Sequence, residues 1–300
     1  MNAVPTDPHA RVATLGCVNF ATVWGDRQAN LRKIATAINQ AADLGVDILA
    51  FPELALSGYE CGPGSCGMHH ELAETIPGPA TEEVAALARR HGMYVTFGMP
   101  ERDREDPSVH YISCPFIGPE GLIGTYRKLH VAPPPIFTEQ NCFRGGTELP
   151  VFETRYGPVG VQICADFWVV PELSRILMLK GARLIINCSG SFSAPDRPYY
   201  LRQMTGARAT ENLAFAATAN LTGTERTRSY YGHSTIAGPA FPRFVQILAQ
   251  GEEREEIVTA TLNFRALEHF RQMIRIPELR RSDLIAREFQ SLEEARGRTR

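Results

Sequence analysis

An α/β fold is the class this sequence predicts, and three observations carry it. Apolar positions at helical spacing lead through a glycine or a short polar link into a β-rich run, and this plan recurs four times. The four units fall into two pairs, separated by a strand-rich middle. That middle holds Pro119-Glu120-Gly121 between two apolar runs, a hairpin signal. Two similar pairs suggest two similar sheets packed face to face with helices outside, a four-layer α-β-β-α sandwich. Periodicity alone equally permits a doubly wound three-layer sheet.

Taken in order, a strand is expected over 11–19. The first unit, within residues 27–53, runs through NLRKIATAINQAADLGVDILAFPE: a helix, Gly45, then a short strand. Residues 81–101 repeat the plan, with Thr81 as helix cap and Gly92 before the strand. Strands at 110–117 and 121–127 flank the hairpin turn, and a strand at 158–164 precedes the third unit. That unit, PELSRILMLKGARLIINCS, places Pro171 near the helix start and Gly181 near its end. The fourth is YYLRQMTGARATENLAFAATANLTG. Residues 275–300 carry seven arginines against five acidic residues, with Leu284, Ile285, Phe289 and Leu292 at near-helical spacing. An apolar stripe on a charged helix points to a subunit contact.

A chain of 300 residues can bury a sizeable core. With 44% hydrophobic residues, 21% charged residues and a net charge of −2, it lacks the basic footprint of a nucleic-acid binder. No apolar run reaches membrane-spanning length. The first residues lack the basic start and apolar core of a secretory signal, and seven scattered cysteines read as reduced thiols. A cytoplasmic protein is the expectation.

Three predicted strands end on groups that are costly to bury unpaired: VDILAFPE on Glu53, GLIGTYRK on Lys128, GPVGVQIC on Cys164. A thiol nucleophile needs a base to take its proton and a cation or amide donor for the oxyanion formed on attack. Carboxylate, ammonium and thiol supply those parts. Only three of the 31 basic residues are lysines, so a lysine at position 128 stands out. A compact ammonium suits an oxyanion where a planar guanidinium would not.

The segments FPELALSGY (51–59), YRKLHV (126–131) and VQICADFWVVPE (161–172) resemble, in order, the three signature segments of the nitrilase superfamily of carbon–nitrogen hydrolases. ARATENLAFAATAN (207–220) and YYGHSTIAGP (230–239) extend the resemblance, which supports a hydrolase domain over 1–270 and a separate tail over 271–300. The resemblance implies the α-β-β-α sandwich and a hydrolase with no cofactor and no metal. By position it makes Glu53 the general base, Lys128 the oxyanion holder and Cys164 the nucleophile. TEQNCFRGG supplies the family's second glutamate as Glu139, followed by Phe143 and Gly146, to orient Lys128 and the substrate. The Ala165 N–H completes the oxyanion hole. The family's habit of dimerising strengthens the expectation of a homodimer or larger assembly.

Around this set, Tyr59, Trp168, Asn187 and Ser189 are expected to border the substrate, while Asp166 and Glu172 fix the turn and helix after the nucleophile. YECGPGSCGMHH (59–70) offers Cys61, Cys66, His69 and His70, which are zinc-ligand types. Their spacing fits no common zinc motif, and a mobile loop beside the pocket is the preferred reading. The expected function is an amidase acting on a small carboxamide. The alternatives are an N-carbamoyl hydrolase, a nitrilase, or a catalytically silent scaffold on the same fold. Nitrilases commonly show Trp-Glu after the cysteine, and N-carbamoyl hydrolases an arginine shortly beyond it. Here Phe167 and Trp168 stand in that place, so uncharged amides are expected to react best. The cations that could overturn this from elsewhere in the chain are Arg144 and Arg197.

Overall fold

The helix–strand units fold as their patterns dictate. In the computed structural model, which describes residues 12–61, 64–134, 137–240 and 242–298, β1 (Val12–Asn19), α1 (Arg27–Asp43) and β2 (Ile48–Ala50) come first. The Asp26 carboxylate caps α1 by accepting the Ala29 N–H, and Leu31, Ile34, Ile38 and Ala41 form its buried stripe. After α2 (Ser65–Leu72), the second unit is α3 (Pro79–His91) and β3 (Tyr94–Thr96). Here the expected cap is corrected. Pro79 suits the first helical position, so α3 starts there, and Thr81 lies inside, its hydroxyl 2.8 Å from the Gly78 N–H.

The strand-rich middle is β4 (Met99–Arg102), β5 (His110–Gly118) and β6 (Gly121–Arg127), followed by the single turn α4 (Glu139–Cys142). Next come β7 (Val151–Phe152), β8 (Val159–Ile163), α5 (Ala165–Trp168), α6 (Pro171–Leu179) and β9 (Leu184–Ser189). The fourth unit is α7 (Arg197–Asn212) and β10 (Phe215–Asn220). Beyond the expected units lie β11 (Thr222–Glu225), β12 (Arg228–Tyr231), β13 (Thr235–Ala240), β14 (Arg243–Gln250) and β15 (Glu256–Asn263). Helices α8 (Phe264–Met273), α9 (Ile276–Leu279) and α10 (Ser282–Arg298) complete the described chain.

Two sheets result. One has the order β15-β1-β2-β3-β5-β4 with β6 also paired to β5, the other β14-β13-β10-β9-β8-β7. Each has a parallel centre, β1-β2-β3 and β8-β9-β10, as two copies of one helix–strand plan require. Strand alternation then decides between the two architectures that the pattern allows. Ile48, Phe116, Tyr126, Val161, Ile186 and Phe215, drawn from both sheets, share one core. Their neighbours turn outward: Leu49 and Val95 pack with Ile34, Ile38 and Val84 of α1 and α3, and Ile185 and Ala216 with Leu177 and Leu201 of α6 and α7. Helix, sheet, sheet, helix is the order of layers.

Two expectations about cysteine and loop structure change. Cys66 on α2 and Cys142 on α4 form a disulfide, while Cys17, Cys61, Cys114, Cys164 and Cys188 remain thiols. Seven reduced thiols is therefore incorrect for this pair, which the fold brings together across 76 residues of sequence. The stretch expected to be a mobile loop is helical from Ser65, with Gly62 and Pro63 outside the described residues. On α10, Leu284, Phe289 and Leu292 are 36%, 48% and 59% exposed, so the tail's apolar stripe is uncovered in the single chain. Among the described residues no helix is long and apolar enough to cross a membrane.

Candidate active site

The three strand ends meet between the sheets. Glu53 lies three residues beyond β2, Lys128 directly follows β6, and Cys164 directly follows β8. The Lys128 ammonium, fully buried, donates to Glu53 Oε1 at 2.7 Å and to Glu139 Oε1 and Oε2 at 2.9 and 2.7 Å. Glu139 also accepts from the Tyr59 hydroxyl at 2.5 Å and the Ala132 N–H at 2.8 Å. Glu53 Oε2 accepts the Gly190 N–H at 3.2 Å. A side chain is excluded at Gly190, since a Cβ there would stand 2.8 Å from the Tyr59 ring. Gly146 is held by its N–H on Lys128 O at 2.8 Å, and a Cβ there would meet Arg127 O at 2.7 Å. The glutamate and glycine of TEQNCFRGG thus fold back onto the lysine, while Phe143 packs against His69 and His70.

Cys164 sits at φ 48°, ψ −103°, outside the regions open to most side chains. The neighbouring strand over-determines this strained turn. Asn187 Oδ1 accepts the Cys164 N–H at 2.9 Å, and Cys188 O accepts it at 3.1 Å. This corrects the expected role of Asn187 and Ser189. Both are fully buried on β9, the central strand between β8 and β10, beneath the nucleophile rather than along the cavity wall. The Ser189 hydroxyl, with no other partner, lies beside the Cys164 thiol.

The electrostatics follow from burial. Desolvation, reinforced by the charge of Glu53, pushes the Cys164 thiol up to about 12. Desolvation likewise raises Glu53 to about 7, Lys128 acting against it and Glu139 with it. For Lys128 burial works to lower the pKa, but the carboxylates of Glu139 and Glu53 override it and hold the ammonium well above its usual range. At neutral pH the site holds a protonated thiol, a permanent cation, and a carboxyl group close to its midpoint. That carboxyl can take a proton and give it back.

The thiol opens onto a cavity of about 530 Å³. Tyr59, Lys128, Glu139, Cys164, Ala165 and Trp168 line it, as the sequence reading expects. Arg197, named there as an exception, lines it too, as do Phe137, Phe192 and Tyr200, which that reading did not single out. Of the two arginines named as exceptions, Arg144 is not among the lining residues and Arg197 is. Arg197 thus supplies a cation at the cavity wall, the exception that the sequence reading named. The zinc-ligand types are engaged otherwise: Cys66 in the disulfide, Cys61 Sγ 3.5 Å from His69 Nε2, and His70 Nε2 2.7 Å from Cys142 O. No group of three or more metal-ligand side chains forms among the described residues.

One residue does more than its sequence position suggests. Asp166, two residues after the thiol and fully buried, accepts from Tyr126 Oη (2.6 Å), Leu129 N (3.1 Å) and His130 N (2.9 Å), and pairs with His130 Nδ1 (2.7 Å). It grips the segment on both sides of Lys128, fixing cysteine and lysine to one another. Only an expected turn role pointed to it in sequence.

The family profile described as carbon-nitrogen hydrolase matches residues 11–272. The chain belongs to the carbon–nitrogen hydrolase family. Among relatives of this hydrolase, a probable nitrilase of Schizosaccharomyces pombe is 33% identical over 255 residues, covering 84% of this chain and 89% of that protein. Omega-amidase NIT2 of Danio rerio is 33% identical over 264 residues, covering 85% and 90% respectively. Saccharomyces cerevisiae Nit3, a member of the nitrilase superfamily, superposes with TM-score 0.79 at 25% identity, covering 90% of this chain and 97% of its own. At 22% identity and TM-score 0.73 the fold also matches an amidase from Nesterenkonia sp. AN1, covering 93% of this chain and 98% of that one. That structure carries the acetamide moiety of fluoroacetamide on its active-site cysteine. The hydrolase is thus an α-β-β-α enzyme of the nitrilase superfamily, as its motifs imply.

The Asp166 clamp generates a stability prediction for this hydrolase. Asp166→Ala strands the buried Tyr126 hydroxyl and two backbone N–H groups. Unfolding free energy in urea should fall by about 3 kcal/mol or more, since each unsatisfied buried group costs roughly 1–3 kcal/mol. Glu172→Ala, on the exposed start of α6, should change it by less than about 0.5 kcal/mol.

Proposed function

We propose that the protein is a cysteine amidase that converts a small primary carboxamide to its acid and ammonia. The observation that carries this reading is the Lys128 ammonium, held between Glu53 and Glu139 beside a thiol that opens into a cavity. In the first half-reaction Glu53 takes the proton of the Cys164 thiol as sulfur attacks the amide carbon. With the thiol pushed up to about 12, no standing thiolate is available, so proton transfer accompanies attack. Lys128 and the Ala165 N–H take the developing oxyanion; an oxyanion donor of this kind typically contributes about 3–4 kcal/mol. Glu53 returns the proton to the departing nitrogen, ammonia leaves, and a thioester remains on Cys164. In the second half-reaction Glu53 takes a proton from water, hydroxide adds to the thioester carbonyl, and the acid leaves as the thiol is restored. Glu139 fixes the position of Lys128 throughout.

Amide rather than nitrile or N-carbamoyl chemistry is supported by the omega-amidases among the relatives at 31–33% identity. Lining by Trp168, Phe137, Phe192 and Tyr200 supports a small acyl group with an apolar stem. The reading includes a cytoplasmic setting, which the five free thiols support and the Cys66–Cys142 disulfide opposes; cell fractionation tests it.

Cys164→Ala should lower ammonia release from the best amide of a panel by at least about a thousandfold, and Glu53→Gln by at least about a hundredfold. Mass spectrometry of wild-type enzyme quenched during turnover should place the acyl adduct on residue 164. An adduct on another cysteine, or a nitrile or N-carbamoyl acid outranking every amide, would refute the reading. We also propose a homodimer or larger homo-oligomer in which α10 covers its Leu284, Phe289 and Leu292 stripe. Light scattering should report at least a dimer for the full chain and a smaller species after truncation at residue 281; an active full-length monomer contradicts it.

A further inference from the structure

A second cavity, of about 410 Å³, lies where the tail meets the body of the fold. Arg175 and Ile176 of α6, Glu211 of α7, Arg280 between α9 and α10, and Ile285 and Phe289 of α10 line it. It shares no lining residue with the cavity at Cys164. Two of these side chains bury a guanidinium nitrogen that has no hydrogen-bond partner, Arg175 at Nη1 and Arg280 at Nε. Folded chains rarely leave a buried donor without an acceptor, and two on one cavity wall call for a shared explanation.

The surrounding acids do not supply that acceptor. Arg175 gives its Nη2 to the Glu211 main-chain oxygen, while the Glu211 carboxylate accepts from Arg208 at 3.0 Å. Glu278 pairs with Arg275 at 3.1 Å and Asp283 with Arg281 at 2.8 Å. Among the described residues neither Arg175 nor Arg280 forms an ion pair. Glu172, exposed at the start of α6, is the other carboxylate of the lining. With Glu211 balanced by Arg208, two arginines against Glu172 leave one excess positive charge. Burial lowers the Arg175 pKa, Glu211 opposing it and Arg280 adding to it, so the two guanidiniums repel one another. An anion between them would satisfy both nitrogens and remove the repulsion. The apolar Ile176, Ile285 and Phe289 would strengthen that contact by lowering the local dielectric.

We propose that this cavity is a binding site for a small, singly charged oxyanion, held by Arg175 from α6 and Arg280 from the start of the tail. Guanidinium edges favour the paired oxygens of a carboxylate or a phosphate over a spherical halide. Arg280 stands two residues before α10, so the bound anion fastens the tail helix to the body of the fold. The site is separate from the proposed catalysis, and nothing in its argument depends on the amidase reading.

The test follows thermal unfolding of the full chain in chloride, acetate and inorganic phosphate at equal pH and ionic strength. Acetate presents a carboxylate and phosphate a tetrahedral oxyanion, so the more effective salt identifies the class of ligand. At least one should raise the melting midpoint over chloride by about 2 °C or more, saturating with concentration. Phosphate also stabilises proteins by exclusion from their surface, but that effect does not saturate and does not need Arg280. Arg280→Met should abolish the saturable rise, which also separates this site from anion binding beside Cys164. In chloride the same variant should not lower the midpoint, because it removes an unpaired buried donor; an arginine with a purely structural role would lower it. Arg175→Lys keeps the charge but loses the fork, and should weaken the apparent affinity at least about tenfold. Tryptic cleavage after Arg287 should slow at least about threefold in the effective salt for wild type and not for Arg280→Met. Circular dichroism checks that the variants are folded, and the saturable rise in wild type stands without them. Equal midpoints in the three salts, a rise that does not saturate, or one that Arg280→Met leaves in place overturns the site. Cleavage unchanged by the effective salt overturns the fastening of α10.

Discussion

A fully buried ammonium is the constraint on which the rest of this structure depends. Taken out of water alone, Lys128 would cost several kcal/mol, and a protein interior tolerates such a charge only when it is paired and hydrogen-bonded. Glu53 and Glu139 provide the pairing at 2.7 Å each. The cost then reappears as charge imbalance, because two carboxylates against one ammonium leave one excess negative charge among three buried groups. The imbalance is eased by protonating Glu53, which burial pushes up to about 7. A carboxyl group that gives and takes a proton near neutrality is thus a consequence of burying Glu53 beside a second carboxylate, and the proposed chemistry uses that consequence.

Holding three charged groups in register requires anchors on separate elements. Asp166 ties the lysine segment to the turn that carries the thiol, so the Cys164-to-Lys128 relation does not depend on either sheet alone. On the other side, Glu225 of β11 accepts the Tyr59 N–H at 3.0 Å and the Glu60 N–H at 2.8 Å. It also accepts the Tyr230 hydroxyl at 3.0 Å. Tyr59 in turn donates its hydroxyl to Glu139. The disulfide joins α4, which begins at Glu139, to α2. Each member of the lysine cluster is therefore held by a group that lies far from it in sequence.

That distance explains what the sequence disclosed and what it withheld. Glu53, Lys128, Cys164 and Glu139 were legible because residue type, order and strand-end position coincide, and the four helix–strand units because their periodicity is local. Strands β14 and β15 escaped notice because exposed positions interrupt their apolar runs. Asp166 and Glu225 act through contacts that exist only after folding, and their short polar side chains look like turn residues in a linear reading. The Cys66–Cys142 pair lies across 76 residues with no local mark. Asn187 and Ser189 were correctly drawn to the neighbourhood of the thiol but assigned to the wrong side of it, because strand phase cannot be read from a run that is buried on both faces. Arg197 was visible as a cation; only the fold brings it to the cavity.

The central claim is that burial, working against the pull of Lys128 and with the charge of Glu139, holds Glu53 near its protonation midpoint at neutral pH, and it can be measured without a substrate. Infrared difference spectra between wild type and Glu53→Gln isolate the carboxyl signal of that residue as pH is varied. Conversion of the protonated carboxyl band to the carboxylate band should have its midpoint near pH 7, and activity should rise with pH over the same interval, since only the deprotonated form can accept the thiol proton. A midpoint near the ordinary value of 4.5 would contradict the account.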